Sequence, residues 1–90
     1  ITDGTQYNSY KKSEFLADLM AIHHMTTSER NEIIRNKKAL INLLGHADAM
    51  HPSGSVRVEK IESYIIAIAG LDEASKEEIF HNFFSVLWAL

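Results

Sequence analysis

The sequence predicts an all-α fold, a compact bundle of about four helices, and three observations carry that prediction. Apolar residues recur at three- and four-residue spacing through most of the chain, the period of a helix with one buried face. Capping patterns and Gly/Pro punctuation cut that periodicity into segments of helical length. No stretch alternates with the two-residue period of a strand; Ser55–Val58 tolerates β structure but is too short to compete. At 90 residues, 46% hydrophobic and 23% charged, the chain makes one domain near the small end of what folds alone.

Residues 1–8 are polar and include Gly4, which reads as a flexible lead-in; 9–90 reads as a single helical domain. Asn8 or Ser9 can cap a first helix over 9–25. On a helical wheel Phe15, Leu16, Leu19, Ile22 and His23 share a face, with Lys11, Ala17 and Asp18 off it. The second helix, 27–50, opens on Thr26-Thr27-Ser28-Glu29, a capping box in which a hydroxyl satisfies an orphan amide and Glu29 reaches back. Its stripe is Ile33, Leu40, Ile41, Leu44 and Ala47. Lys37 projects near the middle of that stripe, as a snorkelling lysine whose stem packs while its ammonium reaches water. Gly45 either ends this helix as a left-handed cap or lies inside a longer one that stops before Pro52.

His51-Pro52-Ser53-Gly54-Ser55 is the strong loop signal of the chain. Ser55 can then cap a third helix, 55–70, burying Val58, Ile61, Ile65, Ile68 and Ala69, flanked by Tyr64 and Leu71. Gly70 stands at the C′ position where a left-handed residue closes a helix. Ser75-Lys76-Glu77-Glu78 reads as a second capping box, opening the last helix, 74–90.

The net charge is −3 and there are no cysteines. Nucleic-acid binders usually carry a basic excess, so the charge disfavours that class. The missing cysteines remove disulfides and thiolate metal sites. No apolar run approaches a membrane span, and the N-terminus lacks both a starting Met and a signal segment. These features, and an end at Leu90 inside an apolar pattern, read as a cytoplasmic domain excised from a longer chain. No cofactor is implied.

Candidate chemistry is sparse. His23 and His24 are adjacent and point about 100° apart on a helix, His23 as a satisfied core histidine and His24 into solvent. In His46-Ala47-Asp48-Ala49-Met50-His51 the two histidines are five apart, the wrong spacing for a chelating pair, and only Asp48 and His51 share a face. His51 then sits against the negative end of the second helix. No nucleophile, base and orienter cluster by sequence, and carboxylate pairs such as Glu59 with Glu62 or Glu77 with Glu78 read as solvated surface. The expectation is a protein that is not an enzyme. Arg30, Arg35, Lys37 and Lys38 form the one basic cluster, the basis of an alternative as a DNA-binding transcriptional regulator. Helices joined at Gly70-Leu71-Asp72 could imitate a helix-turn-helix, but Asp72, Glu73, Glu77 and Glu78 would turn the wrong sign toward phosphates.

From Ala47-Asp48, through a polar loop and Glu59-Lys60-Ile61-Glu62, to Gly70-Leu71-Asp72-Glu73 and an amphipathic helix, the order of elements resembles TerB-type tellurite-resistance domains. The resemblance covers less than half of the chain, has Ala49 where the family pattern has Gly, and carries Pro52–Arg57 as an insertion. It implies a divalent-metal-responsive module with Asp48, Glu59 and Glu62 as ligands. His51, on the same face as Asp48, joins them in that alternative.

The last helix carries the leading functional reading. Ile79, Phe80, Phe83, Val86, Leu87 and Leu90 form a core stripe, while His81, Phe84 and Trp88, three and four residues apart, form a second ridge. Either neighbouring helices cover that ridge within a bundle built around this helix, or another molecule does. Large aromatic side chains dominate binding energetics. The expectation is therefore a regulatory or adaptor-like protein–protein interaction domain that self-associates as a homodimer through His81, Phe84 and Trp88.

Overall fold

The computed structural model describes residues 9–48 and 51–89. The described residues form five helices and no strand: α1 Ser9–His23, α2 Thr27–Arg35, α3 Lys37–Leu44, α4 Gly54–Ile68 and α5 Glu73–Ala89. The all-α prediction holds, with five helices in place of four. The predicted lead-in 1–8, Ala49, Met50 and Leu90 lie outside the described residues.

The fifth helix arises because the predicted second helix bends at Asn36 and stops at Leu44. The Asn36 backbone N–H donates to the Glu32 carbonyl at 3.1 Å. Its side-chain amide donates to the same carbonyl at 2.9 Å, so the side chain competes inside the ladder and the chain kinks. Gly45, at φ 81°, then ends α3, its N–H bonded to the Ile41 carbonyl. Thr26 and Glu29 form the predicted capping box at the head of α2.

Two predicted caps move. Ser53, not Ser55, caps α4, accepting from the Val56 amide. Asp72, not Ser75, caps α5, accepting from the Ser75 amide at 2.7 Å. In both places an extra residue two or three positions upstream is competent to cap, and it starts the helix earlier. Ala69 is exposed and outside α4, and Gly70 follows it at φ 75°, in the predicted closing position.

α4 is the hub. It runs beside α3, α1 and α5, whereas α5 touches only α1 and α4 closely. The main core joins Phe15, Leu16, Leu19 and Ile22 of α1 to Ile61, Tyr64, Ile65 and Ile68 of α4 and Leu87 of α5. Ile79, Phe80, Phe83 and Phe84 pack on it while partly buried. The expected core stripe of α5 is therefore thinner than its sequence indicates. Val86 is 65% exposed, because α5 occupies an edge and presents that flank to solvent.

Lys11 also departs from its expected place. It is 2% exposed although it falls off the apolar face of α1. The molecule measures 43 × 29 × 15 Å. With helices about 10 Å across, that thickness leaves several outer faces uncovered.

Candidate functional site

α5 presents two opposite flanks, and each carries a candidate. On the first, Phe84 and Trp88 stack with centroids 6.5 Å apart and planes 12° from parallel. Phe84 packs on the core, while Trp88 is 66% exposed. The ridge is held in place from below: Lys12 of α1 donates from Nζ to the Trp88 carbonyl at 3.1 Å, a cation on the last turn of a helix. His81, one turn before Phe84, is exposed, with Nε2 3.9 Å from Glu77. Phe84 and Trp88 are thus in contact, whereas the His81 ring meets Phe80, 5.8 Å between centroids.

At the N-terminal end of that ridge lies an arrangement that sequence reading missed. His23 bonds through Nε2 to Glu77 Oε1 at 2.7 Å and through Nδ1 to the Tyr64 hydroxyl at 2.7 Å. Its ring stacks on Phe80, 4.5 Å between centroids. A carboxylate can only accept, so in the neutral imidazole Nε2 carries the proton and Nδ1 accepts from Tyr64. Glu77, read from sequence as solvated surface, is pulled below its ordinary pKa, first by this hydrogen bond and then by the charges of His23, His81 and His24. Burial pushes the Tyr64 hydroxyl up to about 12. The chain Glu77–His23–Tyr64 ties α5, α1 and α4 together. One signal was available: a histidine and a tyrosine on apolar faces must each find polar partners.

The second flank of α5 faces α4 across a cleft of about 360 Å³. Phe15 and Leu19 of α1, Ile61 of α4 and Phe83 of α5 line it, with Lys60, Ser63, Asn82 and Val86 among its other lining residues. Arg57 stands at one end, held by Asp18 through bonds of 2.9 and 2.7 Å and by Glu14 at 3.3 Å.

The residues of the two alternative sites are dispersed. Arg30 is buried and donates to the carbonyls of Ile22 and His23, closing the C-terminus of α1. Arg35 pairs with Glu32, and Lys37 pairs with Glu62 at 3.1 Å, tying α3 to α4. Lys38 is exposed. The basic cluster of the sequence is thus largely spent on internal contacts.

Asp48 and His51 are bonded to each other: the Asp48 carboxylate accepts from the His51 amide at 2.7 Å. Because α3 ends at Leu44, the expected placement of His51 at a helix C-terminus does not hold. Its Nδ1 lies 3.0 Å from Glu14 instead. Glu59 is exposed on the rim of the α4–α5 cleft, and Glu62 is occupied by Lys37. Among the described residues no three His, Asp or Glu side chains converge as a metal site.

No helix among the described residues is long and apolar enough to cross a membrane. No family model, curated protein or solved structure matches this chain.

Proposed function

We propose that this chain is a non-enzymatic, regulatory or adaptor-like protein–protein interaction domain, and that its partner across α5 is a second copy of itself. The observation that carries the reading is the stacked Phe84–Trp88 pair, with the indole largely in solvent on a helix anchored at both ends. An aromatic pair held rigid in advance loses little entropy on binding, and Trp is enriched among residues that dominate interfaces. A second copy is favoured as occupant on two grounds. Closed two-fold pairs are the commonest soluble assembly, and a net charge of −3 opposes pairing only weakly. Antiparallel pairing centred near Phe84 would lay Trp88 of one copy over His81 of the other, leaving Glu77 at the rim.

Sedimentation velocity tests this. The wild-type protein sediments as a dimer, and Phe84→Ala with Trp88→Ala sediments as a monomer that keeps its helical circular dichroism. A wild-type monomer at high concentration, or a dimer untouched by the double substitution, refutes the assignment.

A further inference from the structure

We infer that the cleft between α4 and α5 is a binding site for a small, uncharged, largely apolar molecule with an aromatic ring. Folded interiors seldom leave voids larger than a water molecule, and an apolar cavity of about 150 Å³ already admits benzene. The cleft, at about 360 Å³, is more than twice that size and falls in the range of small-ligand sites. Phe83, partly buried on α5, is the lining ring with surface left to offer, and an aromatic ring favours edge-to-face contact with another.

The charges around the cleft favour a neutral occupant. Two cations, Arg57 and Lys60, and two anions, Asp18 and Glu59, line it and cancel formally. Arg57 is already committed to Asp18, and Lys60 holds its ammonium 5.1 Å from the centre of the Phe15 ring. A carboxylate or an ammonium entering here would lose its water without gaining a surplus of opposite charge. Ser63 and Asn82 remain as neutral groups able to meet one hydrogen-bonding atom of the ligand. Asn82 and Val86 lie on the flank of α5 opposite Phe84 and Trp88, so this site does not depend on the proposed self-association.

Indole is a suitable probe, with indole-3-acetate and tryptamine as its anionic and cationic analogues, followed by amide shifts in ¹H–¹⁵N spectra. Indole is expected to produce saturable shifts centred on Phe83 and Leu19, and the two charged analogues to bind at least about tenfold more weakly, the equivalent of about 1.4 kcal/mol. Val86→Trp and Ser63→Trp, both at exposed positions, should each abolish the shifts by filling the cleft, while Trp88→Ala leaves them intact. Absence of saturation overturns the site. Equal or tighter binding of a charged analogue overturns the ligand class, and indole affinity unchanged in both filling variants places the ligand elsewhere and overturns the assignment.

Discussion

α4 holds one aromatic residue and buries five apolar side chains, Val58, Ile61, Tyr64, Ile65 and Ile68. α5 holds four aromatic residues and fully buries only Leu87. Composition alone would assign the centre of the fold to α5, whose second half is apolar on nearly every side. Position decides otherwise. α4 has helices on three sides, and α5 has them on two. An apolar circumference therefore states what a helix would gain from cover, but the connections determine which helix receives it. The surplus on α5 is what the proposed partner would cover on one flank and the proposed ligand on the other.

The sharpest way to break this comparison is to truncate equivalent aliphatic side chains in the two helices. Ile68 is 1% exposed, and Ile68→Ala should cost about 4 kcal/mol through lost burial and the cavity left behind. Ile66, two residues earlier, is 67% exposed. Ile66→Ala should stay within about 0.5 kcal/mol, and Val86→Ala on α5 likewise. Urea midpoints measure all three. A loss at Val86 approaching that at Ile68 would mean that α5 is covered in the monomer and that its flanks are not available.

A smaller effect tests why α4 is central. Gly54 starts α4 directly against the end of α3, its N–H bonded to the Gly45 carbonyl at 2.8 Å. A Cβ at Gly54 would run into the Ile41 carbonyl oxygen and the Leu44 side chain. The obstacle is backbone, so the α3–α4 seam must open, and Gly54→Ala should cost about 2 kcal/mol. Gly70 gives the control at the α4–α5 turn, where a Cβ meets open space but φ is 75°. Gly70→Ala should cost about 1 kcal/mol, from left-handed strain alone. Reversal of that order would show that the α4–α5 turn, not the α3–α4 seam, fixes the hub.

Helix type and most of the core were legible in the sequence because they rest on local periodicity, and the Thr26–Glu29 box because it is a local hydrogen-bonding pattern. What was not legible depends on pairs far apart in the chain. Lys11 looks like surface and is 2% exposed, and Arg30 looks like a phosphate contact until the end of α1 is found within its reach. The Asn36 kink escaped notice because Asn is tolerated within a helix until its side chain turns back on the ladder. In α5, the wheel separated the ridge of His81, Phe84 and Trp88 from the opposite face. It could not show that Val86 would border a cleft, because that depends on where α4 diverges. Glu77 was read as solvated surface, and it is; its partner lies 54 residues earlier.

The smallest effect distinguishes how the two helices are held to α1, because both reach His23, by groups that titrate in opposite directions. Tyr64 belongs to α4, and burial raises it to about 12. Its contribution is whole below the ordinary tyrosine pKa of about 10 and is lost as pH rises from there toward its folded value. Glu77 belongs to α5 and is lowered, chiefly by the His23 hydrogen bond. Its contribution is whole above the ordinary carboxylate range and is lost as pH falls through its folded value. Stability measured across pH for Glu77→Gln and Tyr64→Phe separates these limbs from those of the other lowered carboxylates, Glu29, Glu32 and Asp72. The gap between wild type and Glu77→Gln should close in acid, and the gap between wild type and Tyr64→Phe should close in alkali. If the Glu77→Gln gap stayed constant down to about pH 3, well below ordinary carboxylate values, the His23 bond would not be what ties α5 to α1. The helix would then be held by its apolar contacts alone, and the contrast with α4 would be one of degree.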